Sequence, residues 1–199
     1  VLKTFHELQG ICCFPLNFIP IVRKNCCVSR SFGTTITDIN DLKEALVNHC
    51  ITAAERIRSE GLITKTMHVF IKTSRFKNNY VSRVQKVDLP MATNNTIELV
   101  NLSIKALEDI YVKGYYYSKA GIIFSELEPK DHYTKNLFSD LNQNLDHLMN
   151  VIDQTNNRFG RGSITIAEAR QSNHFKLRRK HSSRIDTSFI KMAPTVRAN

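Results

Sequence analysis

The chain has 199 residues, 42% of them hydrophobic and 23% charged, which is enough for a real core in one or two globular domains. Its 28 Lys and Arg against 18 Asp and Glu leave a formal charge of +10 and turn attention to nucleic acid or an anionic membrane surface as partner. No apolar run reaches the ~18 residues of a membrane span, and seven Gly with five Pro exclude collagen-like and low-complexity classes.

Residues 1–25 mix apolar stretches with Pro15 and Pro20 and read as the tail of one element followed by an irregular linker. Residues 26–32, rich in Cys, Val and Ser and followed by Gly33, predict a first strand. Over residues 38–60 the period changes: Leu42, Ala45, Leu46, Cys50, Ala53 and Ile57 share one helical face, with Lys43, Glu44, Glu55, Arg56 and Arg58 on the other. Asp38 is placed to cap this helix and Gly61 to stop it.

Two β-rich runs, 67–73 and 80–89, flank a turn at 74–79 and predict an antiparallel pair. Residues 95–112 return to helical spacing through Ile97, Val100, Ile104, Leu107 and Tyr111, and residues 115–127 predict a fourth strand. The order βαββαβ is the split βαβ pattern of an α+β domain, a four-stranded sheet with two helices on one face and the other face free. Beyond Pro129 a polar loop carries Leu137 and Phe138, then a short helix over 142–156 presents Leu145, Leu148, Met149 and Ile152. Residues 163–167 look strand-like, which makes the extension a small α/β unit. Residues 170–199 hold eight Lys or Arg and one acid, and read as a basic tail that carries seven of the ten excess charges.

Enzymatic signals are missing. There is no glycine-rich phosphate loop, nucleophile elbow or His-Glu-x-x-His pair, and the seven His are scattered without ligand spacing. Four of the five Cys form adjacent pairs, Cys12-Cys13 and Cys26-Cys27, with Cys50 alone in a helix. Neighbouring sulfurs in an extended segment point to opposite sides, which favours small apolar residues in a reducing compartment over zinc or a disulfide framework. No catalytic or metal-binding residue is therefore assigned. With no charged-then-apolar leader, a cytoplasmic protein is expected, and one that is a piece of something longer.

The local charge is more informative than the total. Between Lys65 and Lys86 stand six cations (Lys65, Lys72, Arg75, Lys77, Arg83, Lys86) and no acid, on two predicted strands and their turn. This reads as a sheet face laid along a phosphate backbone, against the alternative of a solvated edge that uses Lys to resist aggregation.

Ser29-Arg30-Ser31-Phe32-Gly33, Phe70-Ile71-Lys72-Thr73-Ser74 and Tyr117-Ser118-Lys119-Ala120-Gly121 together resemble, in order and spacing, the UmuC branch of the Y family of translesion DNA polymerases. The resemblance covers nearly the whole chain. It implies the end of a thumb and its linker over 1–25, a DNA-binding little finger over 26–128, a linker over 129–141 and a UmuC-type C-terminal domain with basic tail over 142–199. It also implies a grip on template-primer DNA in SOS-induced damage bypass and repair, with Arg30, Ser31, Lys72, Thr73, Ser74 and Lys119 on the contacting strands. Arg83 and Lys86 join that set on charge alone. Thr134, Asn136, Leu137 and Phe138 sit where the family carries a sliding-clamp peptide, although Thr134 replaces the usual Gln. Ser182, Ser183, Arg184, Ile185, Asp186 and Thr187 depart from the family's tail, and Phe175 stands where a Trp is usual.

A UmuD-like subunit is the third partner implied. The catalytic palm and its magnesium would lie N-terminal to these residues, so the chain by itself is expected to hold no cofactor and not to polymerise. A stand-alone clamp- or DNA-binding module is the alternative. An RNA-binding reading is weaker, because the exposed sheet aromatics it needs are missing from the strands.

Overall fold

The computed structural model describes residues 2–13, 23–76, 80–132 and 143–169. Among them a short helix α1 (Leu2–Leu8) precedes β1 (Cys26–Ile36), α2 (Ile39–Ser59), β2 (Leu62–Thr73), β3 (Ser82–Thr93), α3 (Thr96–Ile110), β4 (Tyr117–Pro129) and α4 (Gln143–Phe159). The strands form one fully antiparallel sheet in the order β1-β4-β2-β3. The expected α+β arrangement, with α2 and α3 on one sheet face, is the one observed.

Local signals explain the helix ends. The Asp38 carboxylate accepts from the Asn40 N–H at 2.8 Å, and Gly61 follows α2 with φ +66°, a left-handed conformation that favours glycine. Asn95 caps α3 in the same way, accepting from the Ile97 N–H at 2.9 Å. Leu42, Leu46, Cys50, Ala53 and Ile57 of α2 are fully buried against Met67, Val69 and Ile71 of β2 and Ile122 and Phe124 of β4.

The strands run longer than predicted. β1 passes through Gly33 instead of stopping there, because its register with β4 shifts between Ser31 and Ile36, an irregularity that glycine accommodates. β3 continues through Pro90, which an edge strand tolerates since one side of its backbone needs no partner. Residues 163–167 are not a strand: they form turns after Gly160 and Gly162, both at positive φ. The extension is thus helical with an irregular end, and the α/β expectation for it fails among the described residues. β-branched composition there had no neighbouring strand to pair with.

The extension packs back on the domain. Arg58 of α2 makes a bidentate ion pair with Asp153 of α4 at 2.7 and 2.8 Å and also donates to the Asn94 carbonyl at 2.9 Å and the Thr96 hydroxyl. Arg58 was expected on the solvated face of α2. Its side chain is instead only 9% exposed, because α4 covers that face. Glu44, also expected outward, is buried as well. Among the α4 residues whose burial is described, Met149 is buried in this contact, while Leu148 and Val151 stay half-exposed.

Candidate nucleic-acid interface

Pairing registers fix which side chains share the open sheet face. Ser31 on β1 pairs with Lys119 on β4, Lys119 with Lys72 on β2, and Lys72 with Ser82 on β3. One row across all four strands therefore reads Ser, Lys, Lys, Ser. The next row is Ser29, Gly121, Phe70 and Val84, and the third Cys27, Ile123, His68 and Lys86. Residues of alternate parity, Val28, Ile122 and Val69 among them, face the helices.

Gly121 is what keeps the face flat. A Cβ there would lie 2.3 Å from the Ser29 Cβ and 2.5 Å from the Phe70 Cζ, so the Phe70 ring occupies the space a side chain would need. Phe70 is only 7% exposed although it lies on the open face, and the Lys72 ammonium stands 5.2 Å from its ring centroid. A buried aromatic is no stacking platform, which weighs against the RNA reading. Cys26 is buried and Cys27 exposed on opposite faces, as the extended pair requires.

Lys72 and Lys119 are paired across β2 and β4, and neither takes part in an ion pair among the described residues. Like charges directly opposite are unfavourable in a sheet, so the pair favours an anion over it. At the other end of the face the balance reverses. The Asp88 carboxylate accepts from Lys86 at 2.8 Å, a hydrogen bond that holds it below the usual carboxylate range. The Thr66 hydroxyl lies 3.1 Å from Asp88 and 3.0 Å from Glu126, and Lys65 pairs with Glu128 at 2.7 Å. The acid-free window of the sequence is thus partly neutralised by acids from outside it, and the unbalanced charge is confined to the Lys72 and Lys119 end.

The expected site residues divide accordingly. Ser31, Lys72, Lys119 and Lys86 share the open face. Arg30 and Arg83 fall in the row with Ala120 and Ile71, on the helix side at the two sheet edges. Thr73 is buried, and its hydroxyl closes the hairpin by accepting from the Val81 N–H at 2.8 Å. Ser74 lies in the turn, where its hydroxyl accepts from the Phe76 N–H at 3.4 Å. Thr134, Asn136, Leu137 and Phe138 lie outside the described residues. Phe76, which residue reasoning missed, is 99% exposed in the turn next to the cation row, beside Arg75, whose guanidinium lies 6.0 Å from the Tyr80 ring. An aromatic inside a Lys- and Arg-rich turn was the available signal.

Among the described residues no group of three or more His, Cys, Asp or Glu is placed to hold a metal. None of the described helices is long and apolar enough to cross a membrane.

Comparison with known proteins places the chain in a family. Residues 23–137, more than half of the chain, match the family model of the impB/mucB/samB family C-terminal domain. The chain belongs to the impB/mucB/samB family. Residues 146–196 match a second model, a domain of unknown function designated DUF4113. Relatives include the protein ImpB of Salmonella typhimurium, 28% identical over 98% of this chain and 47% of ImpB. The protein UmuC of Salmonella typhimurium strain LT2 is 29% identical over 89% of this chain and 43% of UmuC, and SamB of Salmonella typhimurium 31% identical over 83% and 40%. The chain of this impB/mucB/samB family member spans less than half the length of those relatives. Among solved structures, a complex of beta-clamp processivity factor and the little finger domain of PolIV aligns with a TM-score of 0.42 and 14% identity, over 58% of this chain and 99% of that one. The family is the one the three strand motifs led to.

Proposed function

We propose that the open sheet face grips duplex DNA, template-primer DNA in particular, as the DNA-holding part of a UmuC-like translesion polymerase that acts in damage bypass and the SOS response in the cytoplasm. The observation that carries this reading is the row Ser31, Lys119, Lys72 and Ser82 with its two adjacent lysines lacking an acidic partner among the described residues. Each lysine set on a phosphate releases condensed counterions, and each serine hydroxyl adds a hydrogen bond. Phe76 and Arg75, in the turn at the same end, extend the contact. On this reading nucleotide transfer belongs to proteins of the relatives' length, with its magnesium held by residues other than those described.

The test is the salt dependence of binding to a primer-template duplex. Lys72→Ala/Lys119→Ala should flatten the slope of log affinity against log salt by ~1.8, about 0.9 for each phosphate no longer neutralised. Arg30→Ala/Arg83→Ala, on the opposite face, should change it much less. An unchanged slope in the first variant, or an equal loss in the second, defeats the proposal.

The run Thr134, Lys135, Asn136, Leu137 and Phe138 supports a second reading, docking on a sliding clamp through its Leu-Phe pair. Capture by clamp protein that ignores Leu137→Ala/Phe138→Ala removes it. A UmuD-like subunit rests on the family resemblance alone.

A further inference from the structure

Arg30, displaced from the DNA face by its register, lines a cleft of about 640 Å³ between β1, α2, α4 and the turns after α4. One wall consists of the six consecutive residues 27–32 of β1, an edge strand among the described residues. At ~3.3 Å per residue those six positions extend for ~17 Å. The volume spread over that length gives a mean section of roughly 40 Å², which suits an extended chain better than a compact small molecule. Across from it, Ile51, Met149, Ile152, Ile164 and Ile166 form an apolar strip among polar and charged residues.

Two polar features of the cleft stand out, an unbonded imidazole nitrogen on α2 and two arginines, one on β1 and one on α2. The Nε2 of His49 is buried and unbonded, on a residue that is 8% exposed. Such an atom is costly unless something completes it. Burial holds His49 down to about 4, with the Arg30 charge acting in the same direction, so the ring is neutral near pH 7. Two other cations of the cleft are already neutralised, Arg58 by Asp153 and Arg161 by Glu55 at 3.1 Å. Arg30 and Arg56 take part in no ion pair among the described residues.

We propose that this cleft binds an extended segment of a partner protein that alternates apolar and acidic residues, its apolar side chains filling the α4 wall and its carboxylates meeting Arg30 and Arg56. The segment runs alongside β1 and supplies the polar atom that His49 Nε2 lacks. The complementarity of charge selects this occupant over a neutral apolar one. The proposal does not rest on DNA binding: Arg30, Arg56 and His49 stand outside the cation row of the open face, although Ser31 borders both surfaces at the β1 edge.

The experiment uses the full chain and two pools of blocked hexapeptides, Val, Ile or Leu alternating with Glu in one and with Lys in the other. The Glu pool should bind at least about tenfold more tightly than the Lys pool, and Arg30→Ala/Arg56→Ala should remove about that tenfold preference. Arg30→Glu/Arg56→Glu, both at exposed positions, should transfer the preference to the Lys pool. The His49 ring resonances should shift on addition of the Glu pool. No binding, equal binding of the two pools, a preference indifferent to both double variants, or unmoved His49 resonances overturns the proposal.

Discussion

Replacing Lys119 by Gln should stabilise the fold and weaken DNA binding together. Lys119 and Lys72 are direct cross-strand partners, both half-buried, on a sheet whose register sets them beside Ser31 and Ser82, with Phe70 and Gly121 in the next row. Cross-strand pairs in an antiparallel sheet are worth roughly 0.2–1 kcal/mol, here with an unfavourable sign. Relief of about 0.5 kcal/mol at low salt shifts a urea midpoint by about 0.25 M for a typical slope near 2 kcal/mol per M. The gain should fade in about 1 M salt, where the screening length drops to ~3 Å. The same variant should lower the slope of log DNA affinity against log salt by about 0.9. The measurements are urea unfolding of wild type, Lys119→Gln, Lys72→Gln and the double variant at two salt concentrations, and DNA titrations on the same samples. A Lys119→Gln protein destabilised equally at both salts, with no coupling in the double variant, would refute the electrostatic reasoning. An unaltered DNA slope would refute the functional half separately.

Gly121→Ala should cost about 3 kcal/mol or more in urea unfolding, since the new Cβ meets Ser29 at 2.3 Å. Adding Phe70→Leu should recover only part, because the Ser29 clash lies next to the backbone. Arg58→Ala should cost about 3 kcal/mol by leaving Asp153 and the Asn94 carbonyl without their partner. Arg58→Met/Asp153→Leu should cost less, and limited proteolysis within α4 should accelerate only in the first. Stability should also fall as pH drops from about 6.5 towards about 4. His49 has its folded value depressed to about 4 from 6.5, so the unfolded state binds the proton first as the medium acidifies. That loss reaches up to about 3 kcal/mol; a pH profile of unfolding unchanged in His49→Gln would contradict it.

The elements that sequence made legible are those with strong one-dimensional periodicity. Leu42, Leu46, Cys50 and Ile57 recur at helical spacing and all lie in the core, and Asp38 and Asn95 act as the caps their chemistry predicts. Arg58 was misplaced because its neighbour α4 lies 95 positions further along the chain. No local pattern distinguishes an arginine facing water from one facing a distant carboxylate. The strand-like composition of 163–167 misled for a related reason: β-branched residues make a strand only where a partner edge is within reach.

The site shows the same division. Motif order and the cation-rich hairpin were enough to select the strands and the family, because residue identity and spacing are properties of the chain itself. Which cations share a face was decided only by the sheet. A period of two sends Arg30 and Ser31 to opposite faces, and antiparallel register brings Lys72 beside Lys119, 47 positions away. The same register leaves Arg83 on the helix side, whereas Lys86 meets Asp88 through the period of two along β3 itself. Charge is additive along a sequence, but its effect on a ligand depends on distance and on nearby opposite charge, and tertiary pairing determines both.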